Sequence, residues 1–372
     1  MSGPAPLRIA FVTSTPMNAE EGSGTFVGIQ TLAGTLTRLG VQVDIVAPRS
    51  KLPVLTLTRL LFNGWLPFRR WNHYDVIVGF DLDGYRIAGR TGRPHVAAIK
   101  GVIADELRYE RGLARSTLSL QARWEAYHVH HAHRVIATSR YSADRLVALY
   151  KLPRQPAIVP ELIDLSAWRE RFARHPMAPD PTRFVVLCVC RFYRRKRVDL
   201  LLRAAAQLKA QIPRFEVRIA GDGPERTTLH RLARSLQLSG AVRWLGSLDA
   251  EKLAGEYSRS DVFCLPSVQE GFGIVLLEAM AAGKPVVAAQ AGAVPEVAPH
   301  GLLVAPDDWR ALAGGIKSLY EQPQLRRAQA AAGRATVGQF DAPLVAQQFL
   351  AELKRVSQPM KTGQGALGAV QE

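Results

Sequence analysis

Two glutamates, Glu270 and Glu278, stand at the ends of the run Glu270-Gly271-Phe272-Gly273-Ile274-Val275-Leu276-Leu277-Glu278. An apolar strand pattern at 261–265 precedes it, so the glycines fall where a strand gives way to a helix. The first amides of that helix have no intrahelical acceptor and suit an anion. Glu270 sits just before those amides. Glu278 lies inside an otherwise apolar helix, where a carboxylate buried alone is costly and needs a partner. A ribose diol would satisfy both of its oxygens. The plainer alternative is a helix-dipole glutamate and a salt-bridged glutamate, which the Gly-Phe-Gly entry favours less.

Three further loops carry unusual residues. The run 191–197 holds Arg191, Arg194, Arg195, Lys196 and Arg197 at the end of a strong strand pattern. Five cations there fit no core. They suit a diphosphate, gripped by arginine in two places and by lysine as a point charge; several of the five can equally be solvated surface. Gly221-Asp222-Gly223-Pro224 follows another strand pattern. Its glycines would let backbone approach a ligand, or simply make a turn. Gly22-Ser23-Gly24-Thr25 precedes the first helix and is a weak dinucleotide fingerprint. Its glycines stand well past the first strand, and Asp44 lies within the next strand rather than after it. Phosphate or acceptor binding at the helix N-terminus and a plain flexible connection both fit.

The elements that must position these loops are strands alternating with helices. Apolar runs at 7–13, 41–47, 75–79, 95–99 and 134–138 are separated by helical patterns, the first with Phe26, Ile29, Leu32, Ala33, Leu36 and Leu39 on one face and Gly40 at its end. The alternation predicts a parallel sheet with right-handed crossovers. A charged, proline-bearing stretch at 166–182 predicts a linker. The pattern then restarts with strands at 183–190, 216–220, 241–245, 261–265, 285–289 and 302–304, and helices at 307–321, 324–335 and 343–356 close it. Ligands of such sheets bind beyond the carboxyl ends of the strands.

The chain has 372 residues and a net charge of +16, a length that suits two domains. No apolar stretch reaches the ~18–20 residues that span a bilayer. The charge asks for an acidic partner: nucleotide phosphates, an anionic membrane surface or nucleic acid. No nucleic-acid motif is present. Residues 51–71 mix Leu55, Leu57, Leu60, Leu61, Trp65 and Phe68 with Arg59, Arg69 and Arg70; this suits a headgroup interface or a helix covering the sheet. Cys188, Cys190 and Cys264 complete no metal pattern and fit a core in a reducing, cytoplasmic compartment. Residues 358–372 read as a solvated tail.

Across nearly its whole length, and most specifically from Glu270 to the Gly283-Lys284-Pro285 exit, the chain resembles the family-4 retaining glycosyltransferases of the two-domain GT-B type. The resemblance extends through the run 187–202, Gly221–Pro224 and Trp244-Leu245-Gly246. It implies two Rossmann-like domains facing a cleft: an acceptor domain at 1–165 and a donor domain at 183–340. A crossover helix at 341–357 returns to the first domain. It further implies that Glu270 contacts donor-sugar hydroxyls, that Gly271, Phe272 and Gly273 offer backbone contacts, that Ile274 and Val275 line the donor, and that Glu278 holds the ribose. Arg191 and Lys196 would hold the diphosphate, with Gly221, Gly223 and Trp244 near the nucleotide and no metal needed. Many relatives carry a His where this chain has Lys100-Gly101, so that role does not transfer; Lys100, Asp105 and Glu106 become the acceptor-side candidates, with Gly22 and Gly24. Asp81-Leu82-Asp83 looks like the metal-binding triplet of another glycosyltransferase architecture and is assigned an acceptor-side or structural role. His128, His130, His131 and His133 show no metal pattern and suit a helix end.

The expected activity is hexosyl transfer, with retention, from a nucleoside diphosphate sugar to a hydroxyl of a glycan, lipid or lipid-linked saccharide, in bacterial polysaccharide biosynthesis. The alternatives are a nucleotide-sugar 2-epimerase of the same fold, an NAD-dependent dehydrogenase using residues 22–28, and a non-catalytic sugar-nucleotide or membrane-binding module.

Overall fold

A computed structural model describes residues 6–15, 23–48, 54–176 and 180–357. The expectations for Gly22, for residues 51–53 and for the 358–372 tail lie outside these. The first part of the chain runs β1 (Arg8–Val12), α1 (Ser23–Arg38), β2 (Gln42–Val46), α2 (Leu55–Trp65), β3 (Val76–Phe80) and β4 (His95–Ile99). It continues with α3 (Ile103–Glu106), α4 (Gly112–His131), β5 (Arg134–Ala137), α5 (Arg140–Tyr150), β6 (Ala157–Ile158) and α6 (Leu165–Arg174). The second part opens with β7 (Phe184–Val189), α7 (Val198–Leu208), β8 (Phe215–Ala220), α8 (Arg226–Ser235), β9 (Val242–Gly246) and α9 (Ala250–Arg259). It ends with β10 (Val262–Leu265), α10 (Ile274–Ala281), β11 (Val286–Ala289), α11 (Val294–Val297), β12 (Leu302–Val304), α12 (Trp309–Glu321), α13 (Pro323–Val337) and α14 (Ala342–Ser357).

The strands form two parallel six-stranded sheets, β2-β1-β3-β4-β5-β6 and β12-β11-β10-β7-β8-β9. Both are covered by helices on two faces, which is why strands such as β3, Val-Ile-Val-Gly-Phe, are buried at every position. In the first sheet, Ile9, Phe11 and Val78 pack against Ile29, Leu32 and Leu36 of α1 on one face; Ala10, Val12 and Ile77 pack against Phe62, Trp71 and Tyr74 on the other. Leu39, at the end of the α1 stripe, is instead 38 % exposed, because Gly40 at φ +82 turns the chain out of the helix there. Cys188 and Cys264 are buried, and all three cysteines are unbonded.

Sheet order reverses between β1 and β3 in the first lobe and between β7 and β10 in the second. These switch points open a crevice at the carboxyl ends of the strands. The second one carries both the 191–197 and the 270–273 loops.

The expected linker begins as an ordered helix. The Asp164 side chain caps α6 by accepting the Ala167 amide at 3.0 Å. Leu165 and Trp168 are buried in the second lobe's core, with Trp168 edge-on to Tyr257. The charges that suggested a linker are the outward face of this helix, where Arg169, Glu170 and Arg174 are exposed. The chain therefore crosses between lobes at 163–165, and it crosses back at 340–342. The two crossings lie side by side: the Ile163 amide donates to the Phe340 carbonyl at 3.0 Å and the Ala342 amide to the Ile163 carbonyl at 2.9 Å. Beyond them, Val345, Ala346, Phe349 and Leu353 of α14 enter the first lobe's core.

Candidate active site

The floor of the second switch point is made by two loops held backbone to backbone. The Phe192 amide donates to the Asp222 carbonyl at 2.9 Å, and the Glu225 amide to the Phe192 carbonyl at 3.0 Å. Gly221 has φ +130, and a side chain there would run into the Cys190 carbonyl; one at Gly223 would lie 2.7 Å from the Phe192 nitrogen. The close approach that demands glycine is thus between the two loops. Phe192 meets the Trp244 ring edge-on at 5.8 Å, and Trp244 stacks on His230 at 4.2 Å. The Trp244 ring is therefore engaged by Phe192 and His230.

From this floor the basic turn divides by direction. Arg194 pairs with Glu225 at 3.4 Å, and Arg197 with Asp199 at 3.0 Å and with Asp307. Lys196 and Arg195 point inward: Lys196 Nζ reaches Glu270 Oε1 at 2.6 Å, with the side chains only 13 % and 8 % exposed. Arg195 donates to Gln269 Oε1 at 3.0 Å and, from the second lobe to the first, to Glu106 Oε1 at 2.8 Å. Arg191 is half-buried at the same strand end.

Glu270 is fixed through its backbone. Its carbonyl accepts the Ala293 amide at 3.0 Å, and Gly292 packs so closely on it that any side chain there would collide. Gly273, at φ +90, starts α10. Glu278 is buried within that helix and accepts the Tyr257 hydroxyl at 2.9 Å, a phenol partner rather than a salt bridge. Burial pushes its carboxyl up to about 7, with the Tyr257 hydrogen bond and Arg171 pulling the other way.

The facing wall belongs to the first lobe. At the end of β4, Lys100 Nζ donates to Glu161 Oε2 at 2.9 Å, and both side chains are buried. Glu161, which follows β6, lies directly against Gly28 of α1. No local motif signals Glu161; only the sheet brings it to Lys100. The Lys100 amide donates to Asp81 Oδ1 at 2.7 Å, and burial pushes the Asp81 carboxyl up to about 6. Asp83 accepts the Ser14 amide at 2.5 Å and the Asn63 side chain at 2.8 Å, tying β1 to β3 and α2. Both aspartates thus serve backbone order at the first switch point. Asp105 is fully buried and engaged by Tyr141 at 2.6 Å and Arg145 at 2.9 Å, so its carboxylate braces α5 rather than facing an acceptor. His128 closes a buried pair with His95 at 2.9 Å, and α4 ends at His131.

The two walls meet at Gly271. Its carbonyl accepts the Ser139 and Ser142 hydroxyls at 2.8 and 3.0 Å, and a β-carbon there would stand only 3.0 Å from the Lys100 carbonyl oxygen. Gly24 packs against Ile274 in the same way. Glu296 accepts the first two amides of α5, Arg140 and Tyr141, both at 2.8 Å. Free amides at a helix start favour a carboxylate, here supplied by the opposite lobe. The arrangement sets two ammonium–carboxylate pairs, Lys196–Glu270 and Lys100–Glu161, on opposite sides of a closed cleft, with the N-terminus of α10 between them.

Residues 170–336 match the family model described as glycosyl transferases group 1, and residues 22–167 match glycosyltransferase family 4. The chain is 37 % identical over 209 residues to a D-inositol 3-phosphate glycosyltransferase of Catenulispora acidiphila, covering 52 % of this chain and 49 % of that one. It is 32 % identical over 218 residues to a GDP-mannose-dependent alpha-(1-6)-phosphatidylinositol monomannoside mannosyltransferase of Mycolicibacterium smegmatis, covering 54 % and 56 %. These matches span about half the length of the relatives. Among solved structures, sucrose-phosphate synthase from Thermosynechococcus elongatus superposes with a TM-score of 0.80 at 24 % identity, covering 94 % of this chain and 99 % of that one. Anabaena HepE in complex with UDP and glucose superposes with a TM-score of 0.72 at 20 % identity, covering 94 % and 100 %. With both lobes matched and the architecture shared, the chain belongs to the family-4, group 1 glycosyltransferases and has their GT-B fold.

Proposed function

We propose that the protein transfers a hexosyl group from a nucleoside diphosphate sugar to an acceptor hydroxyl, with retention at the anomeric carbon and without a metal. The observation that carries this is the Lys196–Glu270 pair at 2.6 Å beside the open start of α10. One group suits a phosphate, its neighbour suits sugar hydroxyls, and the helix amides suit the charge between them. The UDP and glucose bound by the HepE structure support a donor of this class. Glu278 takes the ribose diol. Lys196 and Arg191 stabilise the negative charge that grows on the departing diphosphate. That phosphate accepts the proton of the attacking hydroxyl on the same face of the sugar, so no carboxylate nucleophile is required.

The acceptor binds against the first lobe, near Lys100 and Glu161. A lipid-linked acceptor at the inner face of the cytoplasmic membrane is the proposed class, supported by the phosphatidylinositol mannoside in the name of the M. smegmatis relative. Donor hydrolysis and transfer, measured across a panel of nucleotide sugars, test the assignment. Lys196→Ala should lower kcat by about a hundredfold or more, and Glu270→Gln should raise KM for the donor as well. Wild-type turnover in both variants would remove the basis for this function.

A further inference from the structure

Helix α2 is built inside out. The side chains it buries are Thr58, Phe62 and Asn63, two of them polar. Asn63 is held there because its amide donates to Asp83 at 2.8 Å while its carbonyl accepts the Gly84 amide at 2.8 Å. The apolar residues face the other way. Leu57, Leu61 and Trp65 are 44 %, 58 % and 47 % exposed, and Phe68 in the next turn is 85 % exposed. Successive turns of α2 place Leu57, Leu61 and Trp65 on a single stripe, and Phe68 follows in the 3-10 turn Leu66–Phe68.

Helix α4 lies alongside. Gln121 bonds Thr56 at 2.8 Å and also accepts Arg59. The early turns of α4 add Leu113, 81 % exposed, and Leu120, 42 % exposed. Seven of the fourteen large hydrophobic side chains exposed among the described residues lie on these two helices, and Val54 and Phe68 directly flank α2, so this is a patch rather than scatter. Its charge is one-sided. Residues 54–72 and 111–124 contain Arg59, Arg69, Arg70, Arg111, Arg115 and Arg123 and no Asp or Glu. No helix among the described residues is long and apolar enough to cross a bilayer.

We propose that the α2–α4 face seats the protein on an anionic phospholipid bilayer. Leu57, Leu61, Trp65, Phe68 and Leu113 enter the headgroup–acyl boundary, and the exposed Arg70, Arg111 and Arg123 meet lipid phosphates. The arginine excess selects this occupant over a second copy of the chain, since two such faces would repel. The face adjoins the cleft: Tyr109, just before α4, donates to the Val268 carbonyl of the second lobe at 3.3 Å. An acceptor held in the same membrane therefore arrives at the first-lobe side. This deepens the proposed lipid-linked acceptor, but the binding itself requires neither donor nor transfer.

The test is co-sedimentation of the full chain with vesicles of phosphatidylcholine alone and of phosphatidylcholine mixed equally with phosphatidylglycerol, without substrates. The wild type should bind the mixed vesicles and not the neutral ones, with Trp fluorescence shifting to the blue. Leu61→Ser with Trp65→Ser should weaken binding at least tenfold, and Leu113→Ser alone should weaken it measurably, which ties α4 to the surface. Arg70→Glu should cost more than the about fivefold expected for one lost cation. Unchanged melting temperatures would show that the variants fold. Equal binding to both vesicles, full binding by the double Ser variant, or a wild-type dimer that the same substitutions dissolve would each overturn the proposal. A donor-hydrolysis assay run in parallel keeps the outcome separate from the catalytic assignment.

Discussion

Glu278 is a carboxylate buried in an apolar helix with a phenol for a partner. Its folded-state pKa of about 7 lies above the ordinary 4.5, so the empty fold prefers the protonated acid. The stabilisation from that preference is complete below the unfolded value and is lost as pH rises through about 7. Glu278→Gln keeps an acceptor for Tyr257 and has no charge to bury. It should melt like the wild type near about pH 5 and resist unfolding by up to about 3 kcal/mol more near about pH 8. Parallel melting temperatures across that range would show that the group does not titrate with folding. Nucleotide affinity should move oppositely in the wild type, tightening towards about pH 8 because a diol donates to the ionised form. Glu278 stands out in the sequence as a charge inside an apolar helix, and Glu270 as a carboxylate just before the glycines that open it. Glu161 does not: it meets Lys100 only because the sheet sets the ends of β4 and β6 against one wall. Asp105 was misread for the converse reason, since nothing local shows that Tyr141 and Arg145 already engage it.

The strand and helix alternation was readable because buried parallel strands are continuous apolar runs and their covering helices are striped. At α6, by contrast, a short amphipathic helix with three exposed charged residues has the composition of a linker. The glycines at 221 and 223 fit a ligand approach or a turn equally in the sequence. Those glycines let two loops touch, which predicts a structural rather than a binding defect. Gly221→Ala, forced to φ +130 against the Cys190 carbonyl, should destabilise the fold by about 3 kcal/mol or more. Denaturant melts would show it; a variant of unchanged stability with weakened nucleotide binding would restore the ligand-contact role. The stripe of α2 was visible in sequence, but its direction was not. Only the buried Asn63 and Thr58 reveal that the leucines face out.

Closure of the whole molecule rests on a few polar contacts between lobes. Glu296 holds two amides of α5, and charge-assisted bonds of this kind contribute about 2 kcal/mol. Glu296→Ala should shift the population towards an open form, read by small-angle scattering as a larger radius of gyration in the absence of donor. An unchanged profile would mean that Gly271 and the Arg195–Glu106 pair suffice. The opening itself is confined by the crossings at 163–165 and 340–342, which lie together as a short two-stranded ribbon. Because β1 and α14 both belong to the first lobe, the second lobe is threaded into the first as a cassette whose entry and exit are neighbours. Exchanging it for the corresponding segment of a relative would cut the chain at one spot, beside Ile163 and Asp341, and leave the first lobe's core uncut. The two lobes are thereby separable units of inheritance, each able to change while the other is kept.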